Sequence, residues 1–419
     1  MKDRLAAFEC LYDVLNKGSY SNLSLDHYLG KYSLDGIGRA FATAIVMGTL
    51  KNAFLLDEVL GRYAKGKTSP SVRIILMMGI HQILHMDRTP DSAICNESVK
   101  ISAKYAGTGS KGFVNAVLRN IARDKENVLS KIPDLPLHIR YSCTKEMETA
   151  MIGQFGSKRA EEILAAFQKP PSTCVRLNTA RHSRQSILEA LEAEGYEWEE
   201  AGMTGVYLKG NRSPAAGLCH EKGLITIQDE GSQRFVPLLD PKQGEQVLDA
   251  CAGPGGKTTH LAEHMNNTGG IIACDIYLHK IQMIMKNVVR TGFDNVTGLE
   301  RDMTLDWADF NGTFDRILID APCSGLGTCQ KRPEIKLFYR PSESLVNTQQ
   351  ELLNSCSRHL KPGGVMVYGT CTLLDEENKE VVERFLENHP GYKLMEVHTI
   401  LPDGKTGGFY MARMARMAS

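Results

Sequence analysis

The sequence predicts a multidomain protein with an all-α amino-terminal domain, a small α+β middle subdomain and a carboxyl-terminal α/β domain. Three observations lead to this prediction. The chain has 419 residues, which is enough for two or three hydrophobic cores at roughly 150 residues per domain. Apolar residues recur at helical spacing in the first part of the chain. From about residue 236, short apolar runs alternate with helical patterns.

The amino-terminal domain is predicted over residues 1–130. Leu5, Phe8 and Leu11 recur at the spacing of one helix face, and no strand-like alternation of useful length appears. Similar helical patterns follow at 39–51, 70–86, 93–105 and 111–123. Two prolines, the first of them Pro133, then break the pattern and indicate a linker.

The middle subdomain is predicted over residues 140–235 as a mixture of helices and short strands. Helices are predicted at 145–155, 158–167 and 183–194, and strands at 174–178, 205–209 and 224–228. From 236 to 419 the pattern changes. Strands are predicted at 246–250, 270–275, 295–301, 315–320 and 363–370, with amphipathic helices between them. This alternation is typical of βαβ units and of a parallel, doubly wound sheet.

The charge of the chain is balanced overall but unevenly distributed. The sequence holds 49 Lys and Arg and 49 Asp and Glu, a balance that excludes a uniformly basic nucleic-acid-binding chain. Residues 1–130 hold 17 basic and 12 acidic side chains, so the helical domain is mildly basic and the remainder mildly acidic. Hydrophobic residues make up 42% and charged residues 23%, which excludes wholesale disorder.

The cysteines and the apolar stretches predict the compartment. The chain has 11 cysteines, an odd number, and no apolar run at its start that resembles a secretory signal. We therefore expect reduced thiols, a cytoplasmic location and no membrane partner, because the longest apolar stretches are too short to cross a bilayer. No Cys-x-x-Cys pair or His-Glu-x-x-His pattern occurs, so no metal site is predicted.

An acidic or thiol side chain stands at, or just beyond, the carboxyl end of each predicted strand of the α/β domain. These residues are Asp249, Asp275, Asp302, Asp320 and Cys371. One such residue alone is more often a helix cap or a solvated charge. Because ligands of doubly wound sheets bind at the carboxyl ends of the strands, five in register predict a binding site there.

The turn after the first strand is rich in glycine and reads Asp249-Ala-Cys-Ala-Gly-Pro-Gly-Gly-Lys-Thr-Thr. A phosphate-binding P-loop requires glycine at Cys251, and a dinucleotide fingerprint requires glycine at Thr258, so both patterns fail. The Gly-Lys-Thr match and a Walker-B-like apolar run before Asp320 leave an ATPase as an alternative, beside a Rossmann-like scaffold that binds no nucleotide.

The acids beyond this turn favour an adenosine cofactor without a polyphosphate. Asp275 lies 20 residues after Gly255, which suits a carboxylate that accepts hydrogen bonds from a ribose diol. Asp302 is placed to receive the exocyclic amine of an adenine. S-adenosylmethionine is the cofactor that this combination favours.

The fourth and fifth strands each lead to a cysteine. The fourth is followed by Asp320-Ala-Pro-Cys323-Ser-Gly, and the fifth ends in Gly369-Thr-Cys371-Thr. Two thiols and a carboxylate suit methylation of a pyrimidine at C5, since thiolate attack at C6 makes C5 nucleophilic. That reaction also needs an acid near N3 and a base that removes the C5 proton.

These motifs resemble the RNA cytosine-C5 methyltransferases of the Sun family. The amino-terminal segments Asp87-Arg-Thr-Pro-Asp-Ser-Ala-Ile-Cys-Asn-Glu-Ser-Val and Gly112-Phe-Val-Asn-Ala-Val-Leu-Arg119 resemble the NusB-like RNA-binding domain. The resemblance covers essentially the whole chain and implies a Rossmann-like, S-adenosylmethionine-dependent methyltransferase domain at the carboxyl end. Two positions depart from the family pattern: Gly253 stands where alanine is usual, and Asp302 is flanked by Arg and Met rather than Gly and Ala.

The resemblance implies a role for each motif residue. Cys371 would be the nucleophile, Cys323 would assist proton removal and product release, and Asp320 would contact the N3/N4 edge of the cytosine. The S-adenosylmethionine pocket would be lined by Cys251, Ala252, Gly253, Pro254, Gly255, Gly256, Lys257, Asp275, Asp302 and Asp320. Arg176, Asn178 and residues 228–232 resemble the RNA-side and pocket-closing segments of the family.

The same resemblance implies that the substrate is one cytosine of 16S rRNA, in an unassembled or partly assembled small subunit, and that the protein is a monomer. Lys331, Arg332 and Arg340 follow the Asp320 motif and are candidates for phosphate contacts. Two alternatives stay open at this point: a tRNA cytosine-C5 methyltransferase, and a non-catalytic RNA-binding or ribosome-assembly factor.

Overall fold

A computed structural model describes residues 1–202, 204–210 and 212–418. The chain forms two compact units. The first comprises Met1–Gln168 and Cys329–Pro341, and the second comprises Lys169–Thr328 and Ser342–Ser419. The fold class predicted from the sequence is confirmed: a helical amino-terminal region is followed by a small α/β region and a large sheet of seven strands.

The first unit is helical throughout its described elements. Helices α1 to α10 are Lys2–Lys17, Ser21–Lys31, Gly36–Lys51, Ala53–Tyr63, Pro70–His85, Asp91–Tyr105, Ser110–Arg123, Lys125–Ser130, Leu137–Arg140 and Lys145–Gln168. Helix α5 lies at the centre, because twelve of its residues are buried. Its start has two local causes: Ser69 accepts a hydrogen bond from the amide of Val72, and Pro70 occupies the first helical position.

A smaller sheet opens the second unit. Strands β1 to β4 are Thr173–Leu177, Trp198–Ala201, Gly205–Leu208 and Ile225–Ile227, and helices α11 to α14 are Arg184–Ala193, Leu218–Glu221, Glu230–Gln233 and Phe235–Leu239. The strand order is β2-β3-β1-β4, and all neighbouring strands are antiparallel. The sheet packs an apolar face against α11, in which Ile187, Leu188 and Leu191 are buried.

The large sheet forms the rest of the second unit. Its strands β5 to β11 are Gln246–Asp249, Gly270–Asp275, Val296–Glu300, Phe314–Asp320, Leu360–Thr370, Tyr392–Ile400 and Phe409–Arg416. Helices α15, α16, α18 and α19 are Gly256–His264, Leu278–Thr291, Glu343–His359 and Lys379–Asn388, and α17, Glu334–Phe338, belongs to the first unit. The strand order is β10-β11-β9-β8-β5-β6-β7, parallel from β7 to β9 and antiparallel beyond.

The strand order places a crevice between β5 and β8. From β5 the chain continues to β6 and β7 on one side, and it then returns to β8 on the other side. Two hydrophobic clusters cover the two faces of the sheet, one containing Phe314 and Phe385 and the other containing Phe235 and Ile284. Loops at the carboxyl ends of β5 and β8 therefore diverge over opposite faces, which is where doubly wound sheets bind ligands.

Membrane-spanning segments were sought over the described residues. No single helix there has the length and apolar composition that a bilayer crossing needs. Helices α3 and α4, which are bent by 79° at their junction, pass that criterion as a pair by length and composition alone.

Candidate active site

The carboxyl end of β5 carries a completely buried acid. Asp249 is 0% exposed, and its Oδ2 accepts a hydrogen bond of 2.8 Å from the hydroxyl of Thr258. Burial raises the pKa of Asp249 to about 7, against an ordinary value of 3.8. The charges of Asp320 and Asp275 add to this increase. Asp249 therefore anchors the turn that follows it and does not face a ligand as an exposed carboxylate.

The backbone of the glycine-rich turn lies in close contact with the Asp275 side chain. The amide of Gly253 donates to Asp275 Oδ2 over 3.2 Å, and a Cβ atom at Gly253 would lie 2.6 Å from the same oxygen. Gly255 has a φ of 102°, which favours glycine, and α15 begins at the next residue. The first amides of a helix have no intrahelical partner. We call this turn, residues 251–257, the cradle: its backbone can approach a ligand closely, and it ends in backbone amides without an intrahelical partner.

The carboxylate of Asp275 is held at the end of β6 beside the glycine-rich turn and the Lys280 side chain. Its side chain is 6% exposed at the end of β6, and Oδ1 also accepts a hydrogen bond from the amide of Tyr277. The cradle and this acid fit a cofactor that carries a ribose but no polyphosphate. Asp302, beyond β7, instead accepts two hydrogen bonds at Oδ1 from the amide and hydroxyl of Thr304, at 2.9 and 2.7 Å. Its contact with an adenine therefore stays a prediction.

Lys257 is paired with Asp320. Their Nζ and Oδ2 atoms are 2.5 Å apart, and the ammonium group lies 4.4 Å from the centre of the Phe235 ring. The Lys257 side chain is 11% exposed and that of Asp320 is 29% exposed. In a P-loop the corresponding lysine reaches the phosphates. Here it orients a carboxylate at the end of β8, an arrangement that does not favour the ATPase alternative.

The two strand-end cysteines are in contact. Cys323 Sγ and Cys371 Sγ lie 3.3 Å apart. Hydrogen bonding to Cys371 raises the pKa of Cys323 well above its ordinary value, and burial raises it further. Of the eleven cysteines, eight are buried, and the partly exposed ones are Cys251, Cys323 and Cys371. Burial also raises the pKa of the Cys251 thiol, which suits a pocket wall rather than a nucleophile.

The segment just before β11 is hydrogen-bonded to the loops that carry Cys323 and Cys371, here called the cysteine loops. The amide of Gly327 donates to the carbonyl of Cys371, and the amide of Gly408, just before β11, donates to the carbonyl of Gly327, at 2.9 and 2.8 Å. A Cβ atom at Gly327 would lie 2.0 Å from the Gly408 carbonyl oxygen. Sequence reasoning predicted neither β10 nor β11 and therefore missed this support.

Two further side chains join the cysteine loops, and sequence reasoning missed them as well. Glu377 is 3% exposed and accepts a hydrogen bond of 2.8 Å from the amide of Ser324. Gln349 donates to the carbonyl of Pro322 and to Glu377, at 2.9 and 3.1 Å. The available signal was the position of Glu377, six residues after Cys371.

Arg176 and Asn178, which resemble the RNA-side and pocket-closing segments of the family, are both buried, so a place on an RNA-facing surface is not what the structure shows. Arg176 is 1% exposed, and its Nε atom lies 3.0 Å from Glu263 Oε2 in α15. Its guanidinium also donates to the carbonyl of Gly256, at 2.9 Å. Asn178 is buried and donates to two backbone carbonyls. Arg176 thus connects the small sheet to the start and the body of α15, whereas Asn178 bonds to the carbonyls of Gly223 and of Thr291 at the end of α16.

The predicted phosphate contacts fall in the first unit. Lys331, Arg332 and Arg340 all lie in its inserted segment. Arg332 lies 3.6 Å from Glu334 and stacks on the ring of Tyr20. Arg340 forms an ion pair of 3.5 Å with Glu146. Their contact with RNA stays a prediction. Among residues 1–202, 204–210 and 212–418, no group of three or more His, Cys, Asp or Glu side chains is arranged to hold a metal ion.

Three family models match the chain. Residues 236–416 match the model of the 16S rRNA methyltransferase RsmB/F, and residues 1–123 match the NusB family. Residues 147–213 match the ferredoxin-like domain of RsmF/B-like methyltransferases. The three models cover the catalytic sheet, the helical region and part of the middle region. The exact boundaries predicted at 130, 140 and 235 stay predictions.

Curated relatives match over nearly the whole chain. The probable ribosomal RNA small subunit methyltransferase B of Bacillus subtilis is 33% identical over 396 residues, which is 92% of this chain and 88% of the relative. The ribosomal RNA small subunit methyltransferase B of Pseudomonas syringae is 30% identical over 445 aligned residues, which is 100% of this chain and 98% of the relative.

Solved structures show the same fold. The crystal structure of PH0851 is similar with a TM-score of 0.85 and 26% identity, over 99% of this chain and 98% of that one. A methyltransferase homolog protein from Pyrococcus horikoshii has a TM-score of 0.60 and 29% identity, over 68% of this chain and 99% of that one.

Proposed function

This chain belongs to the ribosomal RNA small subunit methyltransferase B family, and we propose that it transfers a methyl group from S-adenosylmethionine to C5 of one cytosine in 16S rRNA. The observation that carries the proposal is the contact of 3.3 Å between Cys323 Sγ and Cys371 Sγ. The fold and the family support methyl transfer in general. The two sulfurs, with Asp320 at the end of the neighbouring strand, support a covalent route to a carbon atom.

The cofactor would be held by the cradle and the strand-end acids. These residues are Cys251, Ala252, Gly253, Pro254, Gly255, Gly256, Lys257, Asp275, Asp302 and Asp320. The amides at the start of α15 would bind its carboxylate, because helix N-termini favour anions, and Asp275 would accept hydrogen bonds from the ribose hydroxyls. When bound there, S-adenosylmethionine supplies an electrophilic methyl group.

Cys371 would be the nucleophile in this chemistry. Its thiolate forms a bond to C6 of the cytosine, and the electrons of the C5–C6 double bond shift so that C5 becomes nucleophilic. Asp320 would contact the N3/N4 edge, where its carboxylate accepts a hydrogen bond from the N4 amino group. The 2.5 Å ion pair with Lys257 holds that carboxylate in one orientation, which reduces the freedom lost when the base binds.

Cys323 would complete the reaction. After C5 is methylated, the Cys323 thiolate accepts the proton from C5. The electrons of that C–H bond re-form the double bond, and the bond between C6 and Cys371 breaks. The thiolate of Cys371 is restored and the product is released. Two sulfurs in contact can serve both ends of one C5–C6 bond, which a single cysteine cannot do.

The substrate assignment rests on the family and on the helical region. The matching relatives are named for the small ribosomal subunit, and a NusB-like region that is mildly basic suits docking to RNA. The target cytosine must leave its stack to reach the sulfurs, so a single-stranded or loop nucleotide is required. We infer that unassembled or partly assembled small subunits present it.

Methylation with labelled S-adenosylmethionine tests the proposal. The full chain is incubated separately with protein-free 16S rRNA, with small subunits and with total tRNA, and the label is mapped. Label at C5 of one cytosine in 16S rRNA is the expected result. Label confined to tRNA would instead indicate a tRNA cytosine-C5 methyltransferase. No label in any RNA, with RNA binding intact, would favour a non-catalytic factor.

A further inference from the structure

Glu377 is a buried acid beside the cysteines that the proposed reaction does not use. It lies between β9 and α19, and 3% of it is exposed. A buried carboxylate is costly unless hydrogen bonds compensate its lost hydration. Its contacts therefore indicate what it stabilises.

Three hydrogen-bond donors reach the Glu377 carboxylate, and all three come from the neighbourhood of Cys323. Ser324 donates its amide to Oε2 at 2.8 Å and its hydroxyl to Oε1. Gln349 donates to Oε2 at 3.1 Å and holds the carbonyl of Pro322 with the same amide group. The residues on both sides of Cys323 are thus fixed by one carboxylate and its glutamine partner.

The same carboxylate reaches the Cys371 loop through a relay. The Ser324 hydroxyl has a single hydrogen, which it donates to Glu377. The contact of 2.7 Å between Ser324 Oγ and Thr372 Oγ1 must therefore be donated by Thr372. Thr372 follows Cys371 directly, so Glu377 joins the residue after one sulfur to the residue after the other.

The carboxylate of Glu377 is bonded directly to the loop that carries Cys323 and only indirectly to the loop that carries Cys371. Ser324, beside Cys323, is bonded to the carboxylate directly, whereas Thr372 is bonded to it through Ser324. The hydrogen bond to Cys371 and burial raise the pKa of Cys323, and the charges of Cys371, Glu377 and Asp320 raise it further. The Glu377 carboxylate, which is bonded to the residue next to Cys323, therefore disfavours a negative charge at Cys323.

We propose that Glu377 is a positioning residue that holds the two sulfurs in contact and makes Cys371 the first of the pair to ionise. The remaining proton stays on Cys323, whose thiol donates to the Cys371 thiolate. Once Cys371 is bonded to C6, its sulfur carries no negative charge and no longer accepts the hydrogen bond from Cys323. Cys323 then releases its proton to solvent and becomes the base for C5. The steps that follow the bond to C6 rest on the proposed function, whereas the order of ionisation does not.

Alkylation by iodoacetamide tests the order of ionisation without RNA or cofactor. The rate at each cysteine is followed by peptide mass spectrometry between pH 6 and 10, because the thiolate is the reacting form. In the unmodified chain Cys371 should react faster than Cys323. In Glu377→Gln the ratio of the two rates should fall by about ten-fold, the equivalent of one pKa unit.

Glu380→Gln is the matched control. Glu380 is exposed in α19, and its replacement removes the same charge without touching the cysteine loops. It should leave the ratio unchanged. Faster alkylation of Cys323 in the unmodified chain, or an unchanged ratio in a folded Glu377→Gln variant, would overturn the inference. If Glu377→Gln does not fold, the two rates in the unmodified chain still decide, because alkylation of Cys323 at a rate equal to or above that of Cys371 overturns the inference.

Methyl transfer by the same variants separates this inference from the proposed function. Glu377→Gln should lower kcat about ten-fold with KM for S-adenosylmethionine unchanged, since the carboxylate acts on the sulfurs and not on the cofactor. If the ratio of alkylation rates falls but the unmodified chain methylates no RNA, the proposed function fails and the role of Glu377 stands. If the unmodified chain methylates RNA but neither kcat nor the ratio of alkylation rates changes in the variant, the proposed function stands and the role of Glu377 fails.

Discussion

The Sγ atoms of Cys323 and Cys371 lie 3.3 Å apart although 48 positions separate the residues in the chain. The sheet explains the contact. Strands β8 and β9 are parallel neighbours, and Asp320 pairs with Gly369 at their carboxyl ends. Each cysteine follows its strand end within three residues. The backbone bond from the amide of Ala321 to the carbonyl of Gly369 extends the pairing toward them. The pair is therefore built on the ends of two core strands.

Replacing the proposed nucleophile should stop the reaction at its first bond. In Cys371→Ala no thiolate is available for C6, so methyl transfer should fall by at least about 10³-fold, as for loss of other nucleophiles. S-adenosylmethionine binding, measured by calorimetry, should persist, because the cradle at Gly253 and Asp275 is intact. Full activity of this variant would refute the assignment of the nucleophile.

Replacing the second cysteine should stop the reaction later. In Cys323→Ala the Cys371–C6 bond can form, but the base that removes the C5 proton is missing. A covalent protein–RNA adduct should therefore accumulate and migrate as a slow band in a denaturing gel. The double variant with Cys371→Ala should form no such band. Normal turnover of Cys323→Ala without any adduct would exclude a role in release.

The fold was predictable where burial has a simple period. Strand β6, Gly270–Asp275, was predicted residue for residue, because a short apolar run bounded by turn residues is typical of a buried parallel strand. Strands β10 and β11 were missed. β10 is exposed along most of its length, and β11 is buried at four successive residues from Phe409, so neither shows clean alternation. Their pairing is a tertiary effect.

The site was predictable as a set of strand ends but not as a set of contacts. Asp275, Asp320 and the cysteines follow from strand register. Glu377 stands in a run of three acids that looks solvated, and its burial depends on packing. The resemblance places Arg176 among the RNA-side and pocket-closing segments, but its burial depends on packing. A buried acid 87 positions away cannot be inferred from the sequence.

Arg176 should prove to be structural. In Arg176→Met the Glu263 carboxylate is left buried without its partner, so the free energy of unfolding should fall by about 3–5 kcal/mol. Arg184→Met is the control, because its pair with Glu200 is exposed and should contribute under about 1 kcal/mol. Chemical denaturation measures both. A loss of RNA affinity in a fully stable Arg176→Met variant would instead support an RNA contact.

Asp249 should make the stability of the catalytic sheet fall as the pH rises. Its pKa in the folded chain is about 7 and its ordinary value is 3.8. Between these values the folded state binds more protons than the unfolded state, so stability is lost as the pH rises toward 7 and is constant above it. Three pKa units correspond to about 4 kcal/mol. Asp249→Asn abolishes this titration and can still accept the hydroxyl of Thr258.

Thermal unfolding of the Asp249→Asn variant and the unmodified chain between pH 5 and 8 measures this effect. The melting temperature of the variant, relative to the unmodified chain, should rise across that interval. Asp315→Asn is a control of opposite sign: partial burial raises the pKa of the Asp315 carboxyl, but hydrogen bonds from Lys361 and from the amide of Gln246 bring it below its ordinary value. Its stabilisation is present above the ordinary pKa and lost below it, so that difference should stay constant from pH 5 to 8. If the Asp249→Asn difference is also constant, the buried carboxyl does not titrate in this range and is charged throughout.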